Sequence, residues 1–542
     1  MISFLGQMLR WIAVIVIGIA AIVPLTLLAS VLAALFGVLS GVYRGISNYI
    51  HALTSNLHLI RVPHEQEEEP AYQCFLMGAV YRQLCAAAAD SWEKNKDSVR
   101  LFHELYEVIC TGLLKGNAYT AYPKKMAGAF FIGAAASVLY VISVTVIAVV
   151  TGLLFAVFGC MTAGYAALCG AMWLMDHSYL MLHKIRSECS SCKNQFLIPQ
   201  FLCPHCHRYM HKQLVPGKYG IWHHRCLCGK RIPCTFFGGR SSLEAFCPVC
   251  SSSLISSEAR QIVFQLIGET ASGKSVFLSA FYHVFLEKLQ KSGLSVTIPE
   301  GYQGQFDELA YWYQGNPCPA TTETDARSYP VLIDGIEGRT KRQFSVYDIA
   351  GEMFDGYTAE NVKIIQKQFR YCSGLLFVLD PFCEGKLRAA RKFAGKSLSD
   401  FSSAPITDTA TNFFNYMVDS GMLRIDQAWD KPVCVLIAKA DVEEIYEEIG
   451  PHCITQFYQS HTDVYQDLQQ ARDALCRRFL SKNGFDNFLK KMDTKFTELH
   501  FFPVSAMGHM SNGTVYEPWG VMDAVNYILP KIDDELYTAI NP

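Results

Sequence analysis

Residues 268–275 read Gly-Glu-Thr-Ala-Ser-Gly-Lys-Ser and follow the apolar, strand-like run at 262–267. A glycine-rich turn between a strand and a helix leaves its backbone amides pointing inward, so this spacing predicts a phosphate-binding loop. In it Gly268, Glu269, Thr270, Ala271, Ser272 and Gly273 supply the backbone cradle, and Lys274 neutralises phosphate charge. The Ser275 hydroxyl completes a magnesium shell, and Val276 opens an apolar helix with Phe277, Leu278 and Phe281. A nucleoside triphosphate with Mg2+ is the expected ligand.

Later segments add a sensor and a base reader. Residues 344–349 form a strand-like run that delivers Asp348, with Gly351 three residues on. An aspartate there holds magnesium through water, and the glycine lets a backbone amide approach the γ-phosphate. A buried-type strand from Val433 carries Lys439 and Asp441 to its tip. A carboxylate accepts two hydrogen bonds from guanine N1 and N2 but meets an acceptor at adenine N1, so Asp441 prefers GTP. Ser505 and Ala506 close a further strand, where a backbone amide reaches the guanine carbonyl. The polar loop between Tyr313 and Tyr329 has the placement of a switch segment and holds Thr321, Thr322 and Thr324. All three qualify as the magnesium ligand, with Thr322 the one expected in that role. Residues 329–335 and 342–346 read as an antiparallel hairpin, and 374–380 as another interior strand, ending in Asp380. Buried strands alternating with helices predict an α/β doubly wound, mostly parallel sheet with its ligand at the strands' carboxyl ends.

In this order the motifs resemble the TRAFAC class of small-GTPase-like P-loop GTPases, over residues 261–529. The resemblance implies that Lys274 and Ser275 bind phosphate and Mg2+, that Asp348 and Gly351 begin switch II, and that Lys439 and Asp441 bind the base. Two positions depart from the pattern. Ala438 stands where Asn or Thr is usual, a substitution similar to that in septins, and it leaves ATP open beside GTP. Glu352 stands where Ras-like enzymes carry a water-orienting glutamine, so Lys274 and Glu352 are the expected catalytic groups of a slow GTP-to-GDP hydrolysis. The combination with accessory modules resembles bacterial double-GTPase conflict-system proteins, which implies a bacterial inner membrane and a defence setting.

Residues 11–43 and 126–175 contain no charged side chain. Both exceed the roughly 20 residues that span a bilayer. As one helix the second run would measure about 75 Å, so it is expected to fold back at Thr151-Gly152. Spans near 12–40, 127–149 and 153–175 follow, with Pro24 a kink in the first. A membrane-buried loop is the alternative there. Lys124, Lys125, Lys184 and Arg186 place the open ends of the second run in the cytoplasm. A helical cytosolic insert at 48–125 begins with Glu65, Glu67, Glu68 and Glu69 and carries Phe75, Leu76, Val80 and Leu84 at helical spacing. The expected domains are a membrane region at 1–180, two zinc ribbons at 184–255 and the GTPase at 258–540. Spans without ionisable groups favour an anchor over a transporter or channel. A nucleotide-binding scaffold with little hydrolysis is the other alternative.

Cysteines occur in close pairs: Cys189 and Cys192, Cys203 and Cys206, Cys226 and Cys228, Cys247 and Cys250. Beside a cytosolic nucleotide site such pairs read as zinc ligands rather than disulfides. Neighbouring pairs are expected to share a Zn2+, giving two structural ribbons; interleaved pairing, or substitution by His207, His223 or Cys234, is the alternative. Around them lie Lys184, Arg186, Lys193, Arg208, Lys212, Lys218, Arg225, Lys230, Arg231 and Arg240 against Glu188 and Glu244, in a chain of net charge −2. That local excess calls for an anionic partner, with lipid headgroups expected. Nucleic acid stacked on Tyr209, Trp222 and Phe236 is the rival. A cytosolic effector protein and a second copy of the chain complete the expected partners.

Overall fold

The computed structural model describes residues 2–57, 69–74, 77–113, 118–192, 194–316, 327–336, 340–350, 366, 369–394, 401–402, 405–424, 427–508 and 516–542. Two compact units emerge, Met1–Met175 with Val215–Gly238, and Asp176–Leu214 with Gly239–Pro542. Residues 184–255, expected as a separate module, therefore divide between them. Elements are numbered along the chain.

The first unit is built on α1 (Ile2–Ser55), α2 (Met77–Leu113) and most of α3 (Ala118–Leu182). Gly37, Gly41 and Gly45 recur every fourth residue on α1, the spacing that lines small residues along one face. There α3 passes so close that an added Cβ would lie 2.8 Å from the Ala135 carbonyl oxygen, 2.9 Å from that of Leu139 and 3.0 Å from Val146 Cγ1. Running the opposite way, α2 is keyed by polar contacts. Asn56 Nδ2 donates to Asp90 Oδ2 at 2.7 Å, Gln83 Nε2 to the Leu53 carbonyl at 3.2 Å, and Ser143 Oγ to Asn95 Oδ1 at 2.6 Å. Strand β1 (Ala71–Tyr72) pairs with β6 (His223–Cys226), which pairs with β7 (Arg231–Pro233), all antiparallel.

The expected turn at Thr151-Gly152 is replaced by an unbroken α3 of 65 residues. A lone glycine costs a helix only about 1 kcal/mol, and apolar neighbours offer the backbone no alternative partners, so the helix continues. Among the described residues two helices, Phe4–Ser55 and Phe130–Leu182, are long and apolar enough to cross a membrane, where three spans were expected. Their unpacked parts expose large apolar side chains, among them Leu25, Leu32 and Phe36 on α1 and Leu153, Leu168 and Leu182 on α3.

In the second unit the main sheet runs β10 (Ser295–Thr297), β11 (Arg327–Asp334), β12 (Arg342–Ala350), β9 (Ala259–Gly268), β13 (Gly374–Leu379), β14 (Val433–Ile437), β15 (Leu499–Pro503). From β12 to β15 neighbours are parallel, while β11 is antiparallel to β12 as the hairpin reading required. The parallel strands are continuous apolar runs because both faces are covered. One face packs Ile267, Ile349, Phe377, Val435 and Phe501, and the other packs Leu266, Val346, Leu376, Leu436 and Phe502. Helices α4 (Lys274–Lys291) and α5 (Gln303–Tyr313) cover the second face.

An added strand was not foreseen. Strand β2 (Ile185–Glu188) pairs antiparallel with the beginning of β9, Ile185 opposite Arg260 and Arg186 opposite Ala259, and with β3 (Gln195–Phe196) on its other side. A small sheet of β5 (Met210–His211), β4 (Gln200–Leu202) and β8 (Ala245–Phe246) lies in the same unit.

Candidate nucleotide site and cysteine centre

Strand β9 ends at Gly268, with β12 on one side and β13 on the other, so the strand order reverses at this tip. Open α/β sheets leave a crevice there. The loop turns through Ala271 at φ 59° and Gly273 at φ 100° before α4 begins at Lys274. These left-handed residues curl successive amides inward into an anion cradle. Gly268 admits no side chain, since a Cβ would meet the Val378 carbonyl oxygen at 2.8 Å and Ser272 Oγ at 3.0 Å. Lys274 is buried, its ammonium donating to the Gly268 and Glu269 carbonyls at 2.6 and 2.7 Å.

Asp348 sits near the end of β12, in register with Leu266, and is only 2 % exposed. Its Oδ1 is buried without a hydrogen-bond partner. Burial raises its carboxyl above the ordinary value, opposed by the charges of Lys274 and Arg327. An orphaned carboxylate oxygen beside a backbone cradle fits a magnesium nucleotide, since Mg2+ takes carboxylate and phosphate oxygens together.

The segments expected to read the base lie at the same end of the sheet. Lys439, at φ 56°, follows β14 and donates to the Ala271 carbonyl at 3.0 Å, tying its loop to the phosphate loop. Asp441 Oδ1 accepts from Ser505 Oγ at 3.0 Å, and Ser505 Oγ accepts from the Gly508 amide at 2.9 Å. Ala506 follows Ser505 and is partly buried. Thr321, Thr322, Thr324, Gly351 and Glu352 lie outside the described residues.

Sequence reasoning missed Asp380. This residue directly follows β13, is fully buried, and accepts from Lys439 Nζ at 2.7 Å and from the Ser402 amide at 2.8 Å through Oδ2. Its Oδ1 accepts from the Phe382 amide at 2.9 Å. An acidic residue at the tip of an interior strand, level with the other motif tips, was the available signal.

Cys189, Cys192, Cys247 and Cys250 bring their sulfurs within 4.8 Å of one another. The closest approaches are 3.5 Å between Cys189 and Cys250 and 3.6 Å between Cys192 and Cys247. Four thiolates about 2.3 Å from a tetrahedral ion would be about 3.8 Å apart, so the set fits Zn2+. The Cys192 and Val249 amides point at Cys189 and Cys247 Sγ at 3.5 and 3.4 Å, and Asn194 Nδ2 at Cys192 Sγ at 3.3 Å. Burial pushes the Cys189 thiol up to about 12, while the Ser252 hydroxyl and amide bring Cys250 down to about 6. The expected pairing of neighbours is thus corrected. The first pair joins the last: Cys189 directly follows β2, Cys247 directly follows β8, and the chain that leaves Cys250 enters β9, the partner of β2. Of the other pairs, Cys203 and Cys206 follow β4 in the second unit, whereas Cys226 ends β6 in the first, with Cys228 two residues on. Cys234 donates instead to the Ile221 carbonyl at 3.2 Å.

No family model and no curated protein matches the chain. Among solved structures it is similar to Sup35 complexed with GDP, at 11% identity and a TM-score of 0.21, over 46% of this chain and 38% of that one. It is also similar to the GTPase-like domain of S. cerevisiae Ski7 bound to GTP, at 12% identity and a TM-score of 0.23, over 51% of this chain and 50% of that one. The chain thus spans half or less of each, and at these scores the likeness carries no weight for function.

Proposed function

We propose that the chain is a membrane-anchored GTPase that binds GTP with Mg2+, hydrolyses it slowly to GDP and acts as a nucleotide-dependent switch at the cytoplasmic membrane face. The single observation behind this reading is the convergence of four separated sequence segments at one end of the sheet. They are the 268–275 cradle with Lys274, the orphaned Asp348 Oδ1, the 439–441 turn with Lys439 against Ala271, and Ser505, which donates to Asp441. The Asp441 carboxylate matches the two donors at guanine N1 and N2, whereas against adenine it would face the N1 acceptor.

In this reading the loop amides and Lys274 bind the phosphates, and Ser275, Asp348 and Thr322 hold the ion. Mg2+ would draw charge from the β- and γ-phosphate oxygens. Lys274 exchanges its two loop carbonyls for phosphate oxygens. Asp380 fixes the Lys439 ammonium, and Asp441 orients the base. Glu352 accepts from the attacking water, and an acceptor-only carboxylate in that role is consistent with slow turnover. The charge-free lengths of α1 and α3 serve as anchor, with basic residues of 184–250 facing anionic lipid, Arg240 excepted, since it is buried against Asp176 and Glu258. Zn2+ at the four-cysteine centre is structural, since four thiolates leave no open position.

Phosphate release from GTP tests the reading. The full-length protein in detergent should turn over slowly, Lys274→Ala should not, and Asp441→Asn should shift preference toward xanthosine triphosphate, whose O2 matches the new amide donor. Equal turnover of parent and Lys274→Ala would refute it.

A further inference from the structure

We propose that Zn2+ at Cys189, Cys192, Cys247 and Cys250 is a clamp whose loading sets the affinity of the nucleotide site, transmitted by β2 and by the hydrogen bond between Glu188 and Tyr347. The proposal rests on the nucleotide reading above and assigns it a regulator.

The metal's two ligand pairs follow two different strands. Cys189 directly follows β2, Cys247 directly follows β8, and the chain runs on from Cys250 into β9, the partner of β2 and the strand that ends in the 268–275 loop. The ladder between those strands has two residue pairs, extended by the Glu258 amide donating to Ser187 Oγ at 3.0 Å. So short a pairing is marginal without closure. Joining Cys189 and Cys192 to Cys247 and Cys250 closes it and restricts the alternatives open to the free chain.

The second link is a side chain. Glu188, 6 % exposed, accepts from the Tyr347 hydroxyl at 3.0 Å through Oε1, and through Oε2 from Gln195 Nε2 at 3.2 Å. Tyr347 is itself buried and stands beside Asp348 on β12. Successive side chains on a strand point to opposite faces. Glu188 therefore grips one face of β12 at the point where the other face presents the carboxylate assigned to Mg2+. Without metal, Cys189 and Glu188 lose their tether, and a buried phenol is left to find another acceptor. The state in which β12 is held at Asp348 is then populated less, and nucleotide affinity falls.

Coupling between two sites is reciprocal, so bound nucleotide must hold the metal more tightly by the same factor. The test uses the full-length, zinc-loaded protein in detergent, with the equilibrium partition of Zn2+ to a competing chromophoric chelator measured with and without Mg·GTP. Mg·GTP should raise the zinc affinity about ten-fold, a typical coupling. The gain should vanish in Lys274→Ala, and it should shrink in Tyr347→Phe although that variant retains its zinc. Calorimetric uptake of GTP with unchanged zinc affinity would overturn the clamp and leave the nucleotide reading standing. The full gain in Tyr347→Phe would overturn the proposed route. No uptake of GTP by zinc-loaded protein would overturn both proposals.

Discussion

Replacing Arg240 by methionine removes the charge that holds two carboxylates inside the second unit. The guanidinium, Asp176 and Glu258 are all fully buried, with Arg240 NH2 2.8 Å from Asp176 Oδ2 and 2.5 Å from Glu258 Oε1. Its NH1 donates to the Leu214 carbonyl at 2.9 Å. At an effective dielectric of about 20 each attraction is worth about 6 kcal/mol gross, and desolvation of three ions opposes most of that. Truncation keeps the desolvated carboxylates and deletes their partner, so the variant should lose about 3–5 kcal/mol. The sign of the pH dependence follows from Glu258, whose carboxyl is raised by burial and held back by Arg240. Without the guanidinium it rises further. A carboxyl whose folded pKa exceeds its unfolded value favours the fold at low pH and loses that contribution as pH rises through the folded value. The deficit of Arg240→Met should therefore be smaller at pH 5 than at pH 8. Urea unfolding of the full-length protein in detergent, followed by tryptophan fluorescence, measures both. A loss below about 1 kcal/mol, or one equal at the two pH values, would refute the reasoning.

Three further outcomes follow from packing and ligation. Gly41→Leu should push α1 from α3, because its Cβ would already lie 2.9 Å from the Leu139 carbonyl oxygen; a loss of about 1–3 kcal/mol should appear as a lower thermal midpoint. Cys247→Ser should lower bound zinc by elemental analysis, whereas Cys372→Ser, at a buried core cysteine, should leave it unchanged. Asp380→Asn, which removes the charge opposite Lys439, should weaken GTP binding about ten-fold in a titration, the scale of one charged hydrogen bond.

The sheet was legible because parallel strands covered on both faces are written as unbroken apolar runs, such as 374–379 and 433–437, and because glycines mark the phosphate turn. Lys274, Asp348, Lys439 and Asp441 could be placed at one end of the sheet because Asp348 lies near the end of such a run and the others lie in the loops that leave one. The cysteine pairing was not legible, since spacing shows which residues form a local knuckle and not which distant knuckles meet. That choice is made by β2 pairing with β9, and two rungs leave no periodic signature. The run at 126–175 is equally apolar whether it turns or continues, and Gly152 alone does not decide between a hairpin and one long helix. The glycine spacing at 37, 41 and 45 was visible, but its partner helix was not. Asp380 was read as the end of a strand, because its role depends on Lys439 reaching it from another loop.

The most direct test of the central claim is calorimetric titration of the full-length, zinc-loaded protein in detergent with Mg·GTP and, separately, Mg·ATP. The proposed nucleotide site predicts saturable uptake of GTP, weaker uptake of ATP, and loss of both in Lys274→Ala. Absence of heat with either nucleotide, or uptake that survives Lys274→Ala unchanged, would contradict it.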